Sequence, residues 1–537
     1  MDDTHCLNYR DTGYFSKLIC DYLDQDSVLK PFYNRFPNLE NFKDQIEEKN
    51  SFSAENRQVL VDALQEQYSE LSNASNSSKS LENIKLLADG KTFTVTTGHQ
   101  LNLFTGPLYF LYKIVSTINL SRELKKTYPE YNFVPVYWMA TEDHDFQEIN
   151  FINLYGGRLR WEREEGGPVG RFSTKGIDPI IDELQEHLGP GTFAKKLCKM
   201  LRSAYSSGKT LTEATRYLVH HLFGENGLVI IDGDSAQLKA LMQPHFKKEL
   251  LQEFAHDRVE GTSSKLEELY FQQVHPRGIN LFYIKDGLRE RIEKREDRWY
   301  VLGTELEFSE EEILAELENH PERFSPNVIL RPLYQEVILP NLAYIGGGGE
   351  LAYWFQLKDM FDAFKVPFPM LMLRNSVLWV SAKEKGKLEE MGLKVEDLFK
   401  PLHEVKKNFV KEHAPVDTEL TPYEQKLQQM FDELEDVAHL TDKSMLGAVN
   451  AQRQKQLNGL ENLKKKLIRA EKRRKSDQME KLERVYYSLF PKGNLQERHD
   501  NLSVYYAEHG SALIQQLFES LDPLDFRFRV VTEKELG

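Results

Sequence analysis

The sequence is poor in cysteine and has no long apolar run, and each shortage excludes a class of protein. Its three cysteines, Cys6, Cys20 and Cys198, are scattered over 537 residues without CxxC spacing, which argues against a disulfide framework and against a thiolate zinc site. No window approaches the roughly 18 consecutive apolar residues that a membrane-spanning helix needs. We interpret the cysteines as small buried side chains, with a nucleophilic role for one of them as the alternative.

Export and anionic partners are also disfavoured. Residues 1–6 include Asp2 and Asp3 where a signal peptide needs positive charge, and no apolar segment follows them. The formal net charge is -15, so the chain has no general attraction for nucleic acid or for an anionic membrane surface. These features predict a cytoplasmic protein that binds neither nucleic acid nor membrane.

The sequence does contain a repeated strand-then-helix pattern. Hydrophobic residues make up 40% and charged residues 28%, a balance typical of folded domains. Apolar, β-rich runs that end at polar or glycine-rich residues predict buried parallel strands at 92–97, 133–140, 228–231, 342–345 and 368–373. Helices are predicted after them, for example at 108–124 and 236–254. Alternating strands and helices indicate an α/β fold with a doubly wound parallel sheet.

The chain is long enough for several domains, and its pattern changes along its length. The predicted segments are an N-terminal helical segment (1–90), the first part of the core (91–254), an inserted subdomain (255–330), the second part of the core (331–380), a helical coiled-coil domain (381–490) and a C-terminal segment that packs on the core (491–537).

The coiled-coil domain is predicted from apolar residues spaced three and four positions apart. One seam consists of Leu427, Met430, Leu434, Val437 and Thr441. A break near residues 439–441, with Asp442 as a helix cap, predicts an antiparallel two-helix hairpin rather than one rod. The same heptads also fit a seam between two copies of the chain. We interpret the basic stretch 464–475 as a solvated face, with a contact surface for an acidic partner as the alternative.

A first polar cluster follows the strand at 92–97. In parallel sheets, ligands bind at the carboxyl ends of the strands, where helix N-termini present free N–H groups. The candidate residues there are Thr97, Gly98, His99, Gln100 and Asn102. These groups suit a phosphate or carboxylate, and His99 is a donor if protonated or a base if neutral. The alternative is a loop in which His99 only hydrogen-bonds to backbone.

A second cluster, Glu142, Asp143, His144 and Asp145, follows directly after the strand at 133–140. Crowded carboxylates raise one another's pKa, and a bound ammonium would neutralise them, so a substrate amine is the predicted ligand. A divalent metal is an alternative, but no second His/Asp pair at helical spacing completes a zinc site, and we predict no metal. A purely structural role is the third interpretation.

A third cluster begins the helix after the strand at 342–345. It consists of Gly346, Gly347, Gly348, Gly349 and Glu350. Such a run lets backbone approach a ligand closely, although it is neither GxGxxG nor a Walker A loop. After the last strand, Arg374 and Asn375 are candidates for binding a carboxylate or phosphate, with an ion pair as the alternative for Arg374.

Taken together, these motifs resemble the BshC family of bacillithiol biosynthesis. The motifs are Thr97-Gly98-His99-Gln100, Phe104-Thr105-Gly106-Pro107, Glu142-Asp143-His144-Asp145-Phe146 and Gly346-Gly347-Gly348-Gly349-Glu350. The resemblance covers essentially the whole chain, including the coiled coil and the tail. It implies a Rossmann-like core similar to class I nucleotidyl transferases and synthetases, an inserted connecting subdomain, and a homodimer built through the coiled coil.

The resemblance also implies an activity. The family is understood to add L-cysteine to the amine of glucosaminyl-malate, which forms an amide bond and yields bacillithiol. Joining a carboxylate to an amine in water needs an activated acyl group, so ATP is an expected cosubstrate. The residues expected to be catalytic are His99, Gln100, Asp143 and His144.

In this hypothesis His99 and Gln100 face the activated carboxyl or a phosphate, the acidic block faces the sugar amine, and Arg374 binds malate or phosphate. Class I synthetases carry a His-x-Gly-His pair and a lysine-rich second signature, whereas here only Gly98-His99-Gln100 stands at the first position. Two other hypotheses remain: a nucleotidyl transferase-like enzyme with another acceptor, and an interaction protein that docks through its coiled coil and keeps a degenerate cleft.

Overall fold

The structure is a computed structural model that describes residues 4–69, 71, 78–413 and 420–533. It divides into two compact units, one within residues 1–378 and 496–531 and the other within 379–495 and 532–537. Three of the predicted segments, 1–90, 381–490 and 491–537, each include a few residues outside the described ranges. Over those ranges, no helix is both long and apolar enough to cross a bilayer.

The strands carry the sheet architecture. In chain order they are β1 (Thr4–Leu7), β2 (Thr92–His99), β3 (Asn132–Met139), β4 (Phe151–Leu154), β5 (Gly157–Arg160), β6 (Val229–Asp232), β7 (Leu281–Lys285), β8 (Leu288–Arg295), β9 (Arg298–Val301), β10 (Glu307–Phe308), β11 (Phe324–Pro326), β12 (Asn341–Gly346), β13 (Met370–Leu373), β14 (Val377–Val380) and β15 (Phe528–Thr532).

Helices connect and flank these strands. In chain order they are α1 (Tyr9–Thr12), α2 (Lys17–Leu23), α3 (Asn41–Lys49), α4 (Ala54–Gln67), α5 (Ser78–Leu86), α6 (Tyr109–Thr127), α7 (Phe146–Ile149), α8 (Asp178–Leu188), α9 (Thr192–Ala204), α10 (Leu211–Phe223), α11 (Ala236–Ala240), α12 (Gln243–Gln252), α13 (His256–Glu267), α14 (Glu310–Asn319), α15 (Arg331–Ile338), α16 (Gly348–Phe355), α17 (Lys358–Phe364), α18 (Ala382–Glu390), α19 (Leu402–His413), α20 (Thr421–Thr441), α21 (Leu446–Arg474), α22 (Ser476–Leu489), α23 (Leu502–His509) and α24 (Ser511–Ser520).

The predicted parallel sheet is present and confirms the α/β fold class. Its strand order is β13-β12-β2-β3-β6, and each neighbouring pair is parallel. The register aligns the strand ends, since His99 lies opposite Met139 and Gly346 lies opposite Leu373. The polar residues that follow β2, β3, β6, β12 and β13 therefore meet at one edge of the sheet.

Strand β2 lies in the middle of this sheet and is buried along almost its whole length. Phe93 and Val95 belong to the apolar core formed with α3, α6, β12 and β13. The hydroxyls of Thr94 and Thr96 instead donate to the Asn341 side chain, at 3.2 and 2.8 Å. Side chains alternate along a strand, so β2 presents an apolar face and a hydrogen-bonded face.

An antiparallel sheet lies within the segment predicted as an insertion. Its strand order is β10-β9-β8-β7-β11. Ile292, Trp299 and Val301 are buried on its covered face, and the Trp299 indole donates to the Leu250 carbonyl at 3.0 Å. This second sheet brings Arg289 of β8 towards the site described below.

Two details differ from the sequence-based expectation. The helix predicted over 236–254 is interrupted at Leu241 and Met242, because Pro244 occupies the first turn of α12 and cannot donate a backbone hydrogen bond to the preceding turn. The N-terminal segment also contains a strand, β1, which pairs antiparallel with β15 near the other end of the chain.

The unit within 379–495 contains the predicted hairpin of α20 and α21. Helix α20 ends at Thr441, and Asp442 accepts a hydrogen bond from the Ser444 N–H at 2.8 Å in the short connection. Arg453 of α21 pairs with Asp432 and Glu435 of α20, at 2.8 and 3.3 Å. The break in the heptads therefore marks a turn.

A buried ion pair joins α3 and α15. Lys49 Nζ lies 3.1 Å from Glu336 Oε2, and both side chains are almost completely buried. Glu336 also accepts hydrogen bonds from the Asn341 and Gln335 amides, at 2.7 and 2.9 Å. Because Asn341 begins β12, this network lies at the amino end of the sheet, opposite the polar strand ends.

We expect Glu336→Ala to lower the free energy of unfolding by about 3–5 kcal/mol, because it leaves the Lys49 ammonium buried without its counter-ion. Chemical denaturation measures this change. The matched control is Glu123→Ala, which breaks the exposed Lys126–Glu123 pair of α6 and should cost less than about 1 kcal/mol. Equal losses in the two variants would contradict the importance of the buried pair.

Candidate active site

The carboxyl end of β2 places His99 among aromatic rings. The ring centroids of Tyr109 and Phe110 lie 5.4 and 5.1 Å from that of His99, and His99 Nε2 is buried without a hydrogen-bond partner. Burial, and then the positive charge of Lys113, lower the pKa of His99 to about 3. His99 is therefore neutral at physiological pH, which favours a base or acceptor over a charged donor.

An ion pair that was not predicted, between a buried lysine and a partly exposed glutamate, lies at the same strand end. Lys113 on α6 donates to the Gly98 carbonyl at 2.8 Å and pairs with Glu350 at the start of α16. Glu350 also accepts from the Tyr344 hydroxyl at 2.7 Å and from the Gly347 N–H at 2.8 Å. Burial opposes its ionisation, but Lys113 and these hydrogen bonds lower the pKa of Glu350 to about 2. Glu350 is thus a fixed negative charge at neutral pH.

The glycine run at the start of α16 is arranged around this carboxylate. A side chain at Gly346 would come within 3 Å of Leu351 and Tyr344, so that glycine permits close packing. The Gly347 N–H already donates to Glu350, while Gly349 has open space beside it. The loop therefore presents a carboxylate where nucleotide-binding folds leave a helix N-terminus free for phosphate.

Arg374 and Asn375 are held by protein partners. The two terminal nitrogens of Arg374, Nη1 and Nη2, donate to the two carboxylate oxygens of Glu497 at 3.0 and 2.7 Å. Asn375 accepts from the Ser116 hydroxyl at 3.0 Å and donates to the Asp522 carbonyl at 2.7 Å. The Nε atom of Arg374 is buried and has no hydrogen-bond partner.

The other residues of the first cluster have different surroundings. The Thr97 hydroxyl donates to the Ile345 carbonyl at 2.7 Å and so ties β2 to β12. At Gly98 a Cβ atom would lie 3.2 Å from the Tyr344 hydroxyl, a tight contact that glycine avoids. Asn102 is buried, and its Oδ1 has no hydrogen-bond partner.

Gln100 connects the first cluster to the acidic block. Its Nε2 donates to Asp143 Oδ2 at 2.8 Å and to Glu148 Oε2 at 3.0 Å. Beside them, Arg289 Nη1 lies 2.7 Å from His144 Nδ1 and can only donate to it. The first cluster and the acidic block therefore meet, as the strand-end argument predicts, and Arg289 joins them from the inserted sheet, which was not predicted.

Glu142 is already paired with a lysine of the protein. Lys239 Nζ, which is fully buried, lies 2.6 Å from Glu142 Oε1 and 3.1 Å from Asp234 Oδ1. Burial raises the pKa of Glu142, although the attraction of Lys239 opposes this. Arg171 also pairs with Asp234, at 2.9 Å. Within the acidic block, Asp143 accepts hydrogen bonds from Gln100 and from the His144 N–H, and Asp145 is exposed; neither has a lysine or arginine partner among the described residues.

The sequence analysis did not identify Lys113 and Lys239 as site residues, although the sequence around each of them indicates a buried lysine. Each is a single lysine inside an apolar stretch of a helical segment, Leu111-Tyr112-Lys113-Ile114-Val115 and Leu238-Lys239-Ala240-Leu241. A lysine on a buried helix face must be paired, because an unpaired buried ammonium is too costly.

Among the described residues, no group of three or more His, Cys, Asp or Glu side chains is arranged to hold a metal ion.

The parallel sheet with ionic and polar groups at its carboxyl edge defines the class of the protein, a Rossmann-like α/β enzyme. Residues 2–375 match the family described as "Bacillithiol biosynthesis BshC, N-terminal Rossmann-like domain". Residues 377–533 match the second domain of the same family, "Bacillithiol biosynthesis BshC, C-terminal coiled-coil domain". The chain belongs to the BshC family of bacillithiol biosynthesis.

Relatives match over nearly their whole length. A protein of Flavobacterium johnsoniae is 51% identical over 530 residues, covering 98% of this chain and 99% of its own. Another from Christiangramia forsetii is 46% identical with the same coverage of both chains, and one from Cytophaga hutchinsonii is 39% identical over 98% of each chain. All three carry the name "Putative cysteine ligase BshC". The family resemblance of the motifs is thereby confirmed.

The low pKa of His99 predicts a pH dependence of stability. An unfolded chain takes up a proton at histidine near pH 6.5, whereas folded His99 stays neutral down to about pH 3. Acidification between these two values therefore destabilises the fold through this group. We expect His99→Gln to lose less stability than the wild type between pH 7 and pH 5, measured by chemical denaturation.

The exposed histidine His187, replaced by Gln, is the matched control for the loss of one imidazole. In parallel, NMR of the labelled protein should show the His99 ring signal, identified by its loss in His99→Gln, in the neutral form at pH 5. A His99 signal that titrates near pH 6.5 would refute the assignment.

Proposed function

We propose that this protein is a ligase that joins the carboxyl group of L-cysteine to the amine of glucosaminyl-malate, which forms the amide bond of bacillithiol. The observation that carries the proposal is the match of both parts of the chain to the BshC family. The name of the relatives, a cysteine ligase, supports the class of reaction. The site supplies a neutral imidazole and, in Asp143 and Asp145, carboxylates without a lysine or arginine partner among the described residues, which suits an acyl group and an amine.

We assign the acyl end of the reaction to His99 and Gln100. His99 is neutral and its Nε2 is unpartnered, so it is available to accept a hydrogen bond or a proton. Gln100 is oriented by two carboxylates, Asp143 and Glu148. Arg374 is retained as a binding group for malate or phosphate through its Nε, since Glu497 holds its terminal nitrogens.

The amine end is assigned to the acidic block, with Asp143 and Asp145 as the carboxylates that hold the sugar ammonium. His144, which accepts a hydrogen bond from Arg289, is assigned a supporting role in the same half of the site.

Amide formation needs an activated carboxyl group, and ATP is the cosubstrate that would supply this activation when bound. The Gly346–Gly349 loop remains the candidate for contact with such a ligand at Gly349, away from the Glu350 carboxylate.

We place the reaction in the cytoplasm, because the three cysteines are free and a reducing compartment keeps thiols reduced.

We also propose that the core comprises residues 91–254 and 331–380 and that residues 255–330 are an insertion. The separate antiparallel sheet formed by β7–β11 supports that insertion.

A homodimer through the coiled coil is part of the proposal. Along α20, large apolar side chains stand exposed at heptad spacing, with Tyr423, Met430, Leu434 and Val437 between 43% and 61% accessible. The hairpin with α21 instead buries Phe431 and Ala438. An apolar stripe that the hairpin leaves uncovered favours a second copy of the same helix as its partner.

The activity is tested with purified protein, cysteine, glucosaminyl-malate and ATP, and mass spectrometry of the product. We expect bacillithiol from the wild type, and a fall of about 100-fold or more in rate for His99→Ala and Asp143→Asn with nearly unchanged melting temperatures. Asp257→Asn, a change at an exposed carboxylate of α13, is the matched control for Asp143→Asn. Absence of product under varied conditions, with normal bacillithiol in a strain lacking the gene, would refute the ligase.

The dimer is tested by placing a charge in the stripe. Leu434→Asp should convert the protein to monomers in light scattering after size-exclusion chromatography, because a buried unpaired carboxylate opposes the seam. Gln429→Asp, on another face of the same helix, should remain dimeric. A monomeric wild type, or a Leu434→Asp variant that stays dimeric, would overturn this part of the proposal.

A further inference from the structure

The turn between β2 and α6 has a strained backbone. Phe104 and Thr105 have φ values of 46° and 75°, and Gly106 follows with φ 66°. Residues other than glycine rarely adopt this left-handed region, and for a β-branched residue such as Thr105 it is a genuine outlier. Strain of this kind persists only where the surrounding structure imposes it, and it clusters at functional sites.

The same turn carries two buried polar atoms without partners. Asn102 Oδ1 and Thr105 Oγ1 are buried and make no hydrogen bond, and the two residues are only 9% and 5% exposed. The Asn102 side chain packs on Gly106, where a Cβ atom would come within 2.5 Å of it. Unsatisfied buried acceptors are rare in folded proteins because they have given up water without replacement. Strain and orphaned acceptors therefore coincide in one turn, next to His99 in the chain.

The side chain of Asn501, far along the sequence, bonds this turn at two carbonyls. Asn501 is almost fully buried, and its Nδ2 donates to the carbonyls of Phe104 and Gly106, at 3.0 and 2.6 Å. The neighbouring Asp500 carbonyl accepts from the Leu108 N–H at 2.9 Å, just before α6. On the other side, the Phe104 N–H donates to the Tyr205 hydroxyl at 3.2 Å. These bonds fix both carbonyls that flank Thr105.

We propose that Asn501 is a positioning residue for the active site: its amide holds the strained Phe104–Gly106 turn so that Asn102 and Thr105 offer their side-chain oxygens to hydrogen-bond donors of the bound substrate beside His99. The inference rests on the proposed ligase function, and it adds to the site a residue that none of the strand-end motifs contains. The substrate groups it would serve are hydroxyl, amine or ammonium donors, since the orphaned atoms include a carboxamide oxygen, which only accepts.

Asn501 has a second role, which the test must keep intact. It is the N-cap of α23, and its Oδ1 accepts from the Ser503 N–H at 2.9 Å. Serine is also a good N-cap but has no amide to donate to two carbonyls. Asn501→Ser therefore preserves the cap and removes the hold on the turn, whereas Asn501→Ala removes both.

The matched control is Asn341→Ser. Asn341 is also a fully buried asparagine with several side-chain hydrogen bonds, but it begins β12 at the opposite end of the sheet. We expect Asn501→Ser to lower kcat/KM for the ligase reaction about 100-fold, as a displaced binding group does. Asn341→Ser should change it less than about threefold while lowering the melting temperature at least as much. Equal kinetic effects in the two variants would overturn the inference.

Hydrogen exchange gives a readout that needs no activity. Peptides covering residues 101–110 should exchange faster in Asn501→Ser than in the wild type or Asn341→Ser, because the strained turn is released. Unchanged exchange there would refute the hold on the turn even if the wild type had no ligase activity. Faster exchange together with an inactive wild type would refute the ligase function, and with it the substrate-positioning role.

Discussion

The ammonium of Lys113 is the group on which the chemistry of this sheet edge depends. It joins α6 to the end of β2 through the Gly98 carbonyl and to α16 through Glu350. Its charge is the second cause, after burial, of the low pKa of His99, and the largest influence that lowers the pKa of Glu350. Lys113 is buried whereas Glu350 is partly exposed, so removing Glu350 would leave an uncompensated ammonium in the protein interior. One lysine thus contributes to the pKa of two neighbouring groups.

The sequence predicts the sheet well because parallel strands are buried on both faces and appear as continuous apolar runs. Strand β2 starts at Thr92 as expected and continues to His99, and β3 differs from its prediction by one residue at each end. Strand ends also identify Gln100 and Asp143, which meet although they are 43 positions apart. The class of fold and the meeting of these two side chains follow from local pattern.

The sequence does not reveal hydrogen-bond and ion-pair partners that are distant in the chain and that only tertiary structure brings together. Arg374 has the pattern of an exposed anion-binding residue, yet Glu497, 123 positions later, takes both of its terminal nitrogens. Arg289 reaches His144 from a strand of the inserted sheet, and no spacing rule connects them. Asn501 is similar, since its role depends on a turn almost 400 residues earlier. Local periodicity contains no information about such pairings.

The low pKa of His99 has a consequence for the order of events in the proposed reaction. An imidazole with a pKa of about 3 is a poor proton acceptor for a substrate ammonium. A nearby negative charge favours the imidazolium and raises the pKa of a histidine. An anionic acyl or phosphate group bound beside His99 would therefore make it a better base, while a vacant site keeps it neutral. Under the proposed assignment of His99, proton removal from the amine would follow binding of the acyl component, which suits a ligase because the amine would become nucleophilic only when its acceptor is present.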